Sequence, residues 1–87
     1  MDSLEYKKLL VAFGEGLMRL TEQLESAVDG ELSKGDVRAS VAAARSKLAQ
    51  YEEFLSRFGE DTGKRQDFEK QFTKRLSEIR ESLTQLE

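Results

Sequence analysis

The residue patterns in this chain that could support chemistry are few, and most fail on spacing. Gly14-Glu15-Gly16 interrupts the stretch Val11 to Met18, and a Gly-x-Gly can let a backbone wrap a phosphate. It lacks the third glycine of a dinucleotide-binding fingerprint, and nothing before it looks like the strand that fingerprint requires. Gly59, followed by Gly63-Lys64-Arg65, echoes a phosphate-binding loop. The spacing is one residue short, Arg65 replaces the needed Ser or Thr, and a helical pattern precedes it, so a helix stop followed by a cap explains these residues better.

Acid–base, nucleophilic and metal chemistry find little to work with. The chain has no histidine and no cysteine, which removes the commonest general base, the thiolate and the favoured soft metal ligands. No Ser or Thr has a recognisable base partner. The carboxylates fall at solvent-facing positions, with no Glu-x-x-His pair for a di-iron site and no calcium loop of the EF-hand kind. Catalysis, metal and cofactor are therefore not expected. Lys64, Arg65, Lys70, Lys74 and Arg75, interleaved with Phe68 and Phe72, form one basic stretch that could contact an anion or track a nucleic-acid backbone. Against this, the net charge is −3, and the two phenylalanines fall on an apolar stripe that should face a core.

Composition predicts an all-α chain. There are 87 residues and no proline, where average usage of about 5% would give roughly four, so the strongest helix breaker is missing throughout. Ala, Glu, Lys, Leu, Arg and Gln dominate, all good helix formers. The longest apolar run, Leu9 to Phe13, is five residues, far short of the ~20 that span a membrane or of a signal-peptide core. An unprocessed, soluble, cytoplasmic chain is the expectation, in keeping with the absence of cysteine.

Three helices follow from the periodicity. Tyr6, Leu10, Phe13, Leu17, Leu20, Leu24 and Ala27 alternate spacings of four and three, a seven-residue rhythm of the coiled-coil kind. Val37, Val41, Ala44, Leu48, Tyr51, Leu55 and Phe58 repeat it, and Phe68, Phe72, Leu76, Ile79, Leu83 and Leu86 form a third stripe that drifts from a strict heptad. Expected spans are about 3–29, 36–58 and 62–86 within one helical domain, 1–87, each helix about 33 to 40 Å long. Asp2 or Ser3, Asp36, and Asp61 or Thr62 are the predicted N-caps, with Gly30 or Gly35, and Gly59, as stops.

Charge blocks favour an antiparallel up-down-up order. Residues 15–31 sum to −4 and 32–51 to +3, then 52–61 to −3 and 64–75 to +3, so consecutive helices would lie acid against base. Favourable i,i+4 pairs are Glu15 to Arg19, Glu53 to Arg57, Glu60 to Lys64 and Asp61 to Arg65. Two hairpin registers fit the first two helices. One has opposed residue numbers summing to 61 and turns near Gly30; the preferred one sums to 68, with Ser33-Lys34-Gly35-Asp36 as the turn.

The glycines of helix 1 then become a packing question, since each costs about 1 kcal/mol inside a helix. Gly16 is expected to receive the ring of Phe54. Gly14 lies between the core seam and a second apolar stripe, Leu4, Val11 and Met18, which recurs every seven residues. Either the third helix packs on this stripe, the more economical reading for apolar residues at helical spacing, or a partner helix docks there, from another protein or a second copy. The function these features favour is non-catalytic protein binding, as a small adaptor, chaperone-like or regulatory subunit with Leu4, Val11, Gly14 and Met18 as partner contacts. A self-assembling coiled-coil subunit is the alternative, and a weak nucleic-acid binder the third.

Overall fold

The computed structural model describes residues 2–87 and contains three α-helices: α1 (Ser3–Val28), α2 (Lys34–Arg57) and α3 (Thr62–Leu86). All three pack against one another. Side-chain contacts fix their directions. Phe13 stacks on Tyr51 and Gly16 lies against Lys47, so α1 and α2 are antiparallel; Tyr6 bonds Asp67 and Gly14 meets Phe72, so α1 and α3 run parallel. The result is an up-down-up bundle with principal extents of 42 × 20 × 17 Å.

The ends of each helix follow from capping chemistry. The Asp2 carboxylate accepts from the Glu5 amide at 2.8 Å, and Asp61 does the same for Lys64 at 3.1 Å, each satisfying one of the amides that a helix start leaves without a partner. At the end of α1 the Glu31 amide donates to Ser26 and the Gly30 amide to Ala27, with Gly30 at φ 79°. That is a Schellman closure, in which the left-handed position favours glycine. Gly59, at φ 57°, takes the left-handed position after α2, its amide donating to Ser56.

The start of α2 departs from expectation. It begins at Lys34 with Ser33 as N-cap, the Ser33 hydroxyl accepting from the Asp36 amide at 3.2 Å. Ser33 and Asp36 stand three apart, a capping-box spacing with an acid near the positive helix end. Ser33 to Asp36 is thus the cap and first turn of the helix rather than the interhelical turn, which moves back to Asp29–Leu32. Neither predicted register holds. Gly16 with Lys47 sums to 63, Phe13 with Tyr51 to 64 and Phe13 with Phe54 to 67, values between the two registers.

The core is contributed by all three helices: Phe13, Leu17, Leu20 and Leu24 from α1, Ala44, Tyr51, Phe54 and Phe58 at α2, and Phe68, Phe72, Leu76, Ile79 and Leu83 from α3. Phe13 and Phe68 are its hubs. Phe13 meets Tyr51, Phe54, Phe68 and Phe72 with ring centroids 5.1 to 6.3 Å apart, three of the four pairs being edge-on or tilted; such pairs add about 0.5–1.5 kcal/mol beyond area burial. The buried face of α2 is rotated from its predicted seam. Val37, Val41, Leu48 and Leu55 are half-buried while Ser40 and Phe54 are buried, because α2 must face two neighbours rather than one. The Ser40 hydroxyl is buried with no hydrogen-bond partner among the described residues.

Candidate interaction face

The α1 stripe is the site that the sequence singled out, and it lies on the outside. Leu4 is 63%, Val11 60% and Met18 49% exposed. The third helix does not pack on it: α3 approaches from the adjacent side of α1, through Gly14 and Tyr6. With 3.6 residues per turn, Leu4, Val11 and Met18 fall in one row. Lys7, Gly14 and Thr21 flank the row on the α3 side, and Lys8, Glu15 and Glu22 on the side facing away. Lys7, Lys8, Val11, Ala12 and Glu15 line a shallow, largely apolar depression along this face.

Gly14 is not itself a free partner contact. A Cβ built there would lie 3.4 Å from Cε1 of Phe72, whose ring is buried against Phe13 and Phe68. A methyl group there would just touch the ring and a longer side chain would run into it, so Gly14 belongs to the α1–α3 joint. Gly16 also has a different neighbour from the one expected. A Cβ there would meet Nζ and Cε of Lys47 at 3.1 and 3.3 Å, with no atom of Phe54 within range. The Lys47 stem crosses the glycine, places its ammonium 5.7 Å from the Phe13 ring centroid and donates to Gln50 at 3.2 Å. Phe54 instead turns inward, edge-on to Phe13 and Phe68. Its side chain lies on the buried face that the rotation of α2 creates.

The basic stretch does not form a common surface. Lys64 lies over the Tyr6 ring and pairs with Asp61 at 3.9 Å. Arg65 pairs with Glu69 at 3.3 Å and Arg75 with Glu78 at 3.8 Å, while Lys70 and Lys74 are exposed. Phe68 and Phe72 are buried, so neither ring is available to stack on a base. Of the predicted i,i+4 pairs, Glu15–Arg19 and Glu53–Arg57 form at 3.8 and 2.7 Å. Between helices, Arg45 bonds Glu87.

Two tyrosines, one at the α1–α3 joint and one in the core, are shifted from their ordinary titration. The Tyr6 hydroxyl donates to Asp67, and burial, this bond and the charges of Asp67 and Asp61 push its pKa up to about 12. Burial likewise raises Tyr51, helped by Glu69 and Glu52. Both effects disfavour the phenolate and tie the tyrosines to structure. Among the described residues no three His, Cys, Asp or Glu side chains converge on a point where they could hold a metal ion, and no helix is long and apolar enough to cross a membrane.

Comparison with protein-family models, curated proteins and solved structures found no match. What the outer face of α1 can do is therefore decided by its own side chains: three apolar anchors at seven-residue spacing, charged flanks, and a rigid helix behind them held by two neighbours.

Proposed function

We propose that this chain is a non-catalytic protein-interaction module, an adaptor or regulatory subunit, whose outer α1 face receives a helix of a partner through Leu4, Val11 and Met18. The observation that carries the proposal is the exposure of these three side chains on a helix whose opposite side is already filled by α2 and α3. Single exposed apolar residues are ordinary on protein surfaces. A straight row at seven-residue spacing supplies the i and i+7 anchors of helix-mediated recognition, and Met18 adds an adaptable thioether at one end.

The energetics make the expected binding reversible. Full burial of an aliphatic side chain is worth about 1.5–3 kcal/mol. Three anchors already part-buried would supply about half of that each, against an association cost of about 4–15 kcal/mol. A partner must therefore bring an apolar stripe of its own, which suits regulated rather than permanent association. The absence of cysteine fits a reducing cytoplasm as the place of action.

A photo-crosslinking residue in place of Val11 tests the proposal in the cells that make the protein. It should yield a defined protein adduct that disappears when Met18→Lys is added, and a probe at the exposed Glu52 of α2 should yield none. Absence of any adduct at Val11, or an adduct indifferent to Met18→Lys, would rule out this face.

A further inference from the structure

Resting on that reading of the α1 face, we infer that its occupant is a second copy of the same chain, docked antiparallel about a two-fold axis at Val11. The charges around the stripe select both the partner and the direction. In an antiparallel pair centred on Val11, residues whose numbers sum to 22 stand level. Leu4 of one copy then meets Met18 of the other, Val11 meets Val11, and the three anchors close into one apolar seam. A two-fold axis between antiparallel helices also keeps each flank facing the same flank of the other copy. On the outward flank, Lys8 stands one residue from level with the partner's Glu15, and Glu15 faces the partner's Lys8 in return. One row further out, Glu5 stands two residues from level with the partner's Arg19. All four of these side chains are exposed in the single chain. Lys7 and Lys8 have no ion-pair partner among the described residues, while Glu15 and Arg19 hold each other only loosely, at 3.8 Å.

The parallel arrangement fails on the same residues. It brings opposite flanks together, setting Lys8 beside the partner's Lys7, like charges that disfavour association, and leaving Glu15 level with the partner's Gly14, with no cation to pair. The order of Lys8 before Glu15 on one flank is self-complementary only when one helix is reversed. Such isologous contacts are the commonest way for identical chains to pair.

Light scattering on the full chain over about a hundredfold concentration range should show the mass rising from one chain toward two. Val11→Lys should hold it at one chain throughout, with helicity unchanged by circular dichroism. Lys8→Glu and Glu15→Lys should each weaken the dimer by roughly three- to thirtyfold, as expected for two exposed ion pairs turned repulsive, and the double exchange should restore it. Because the chain has no cysteine, direction can be read by disulfide trapping: Val11→Cys should crosslink to itself, and Leu4→Cys should crosslink to Met18→Cys but not to itself. A monomer at every concentration, a dimer indifferent to Val11→Lys, or self-crosslinking of Leu4→Cys overturns the inference. A monomer whose Val11 probe still captures a different protein leaves the interaction face standing and removes only the second copy; a monomer with no adduct removes both.

Discussion

At the residue scale, the two glycines of α1 show how far sequence reasoning reaches. That Gly14 and Gly16 serve packing rather than phosphate binding follows from the missing third glycine and the helical context. Which side chain approaches each one depends on the rotation of α2 and the placement of α3, and neither is written in a heptad count. The two positions should therefore respond differently. Gly16→Ala needs only the flexible end of Lys47 to shift by a few tenths of an ångström, so the gain in helix propensity should dominate, less the weak ammonium–ring attraction. We expect a net stabilisation of up to about 1 kcal/mol in urea unfolding. Gly14→Leu drives a side chain into the Phe72 ring, which is itself wedged between Phe13 and Phe68. This overpacking should cost about 1–3 kcal/mol. Equal effects at the two sites would contradict the distinction between a mobile and a locked neighbour.

At the element scale, the three helices were legible because proline is absent and apolar residues keep a helical rhythm. The caps Asp2 and Asp61 and the stops Gly30 and Gly59 were legible too, since their chemistry is local. The start of α2 was misread because Ser33, Gly35 and Asp36 are all turn formers. The hydrogen bonds from the Asp36 amide to the Ser33 hydroxyl and from the Val37 amide to the Ser33 carbonyl show that the helix has already begun. The economical reading of Leu4, Val11 and Met18 as core also fails, because α3 uses the neighbouring flank of α1, where Gly14 offers room. From sequence, the stripe and the flank were indistinguishable as docking sites. Their exposure gives an expected outcome: Val11→Lys and Met18→Lys should each change monomer stability by no more than about 0.5 kcal/mol, measured by thermal melting at a concentration low enough to exclude association. A loss of several kcal/mol would mean that the face is buried in the monomer.

At the scale of the whole molecule, alkaline pH tests how the helices are fastened. Tyr6 of α1 donates to Asp67 of α3, and its pKa stands near 12 against a usual 10.0. Below pH 10 the phenol is protonated in both folded and unfolded chains, so its contribution is fully present. Between pH 10 and 12 the unfolded chain releases the proton first, and stability falls as pH rises. Tyr6→Phe should lower stability at pH 8 and flatten its decline above pH 10, followed by urea midpoints; an unchanged slope would remove Tyr6 as a cause. The core also has a polarity that no single stripe revealed. All seven aromatic residues gather in the half of the bundle around Phe13 and Phe68, where α1 and α3 start and α2 ends; the other half is closed by Leu17, Leu20, Leu24, Ala44, Leu76, Ile79 and Leu83. With no tryptophan in the chain, every near-ultraviolet chromophore and every tyrosine emitter watches that one end. Far-ultraviolet dichroism averages over the whole length, so the two optical signals together turn the molecule into its own two-channel gauge of whether both ends melt at the same moment.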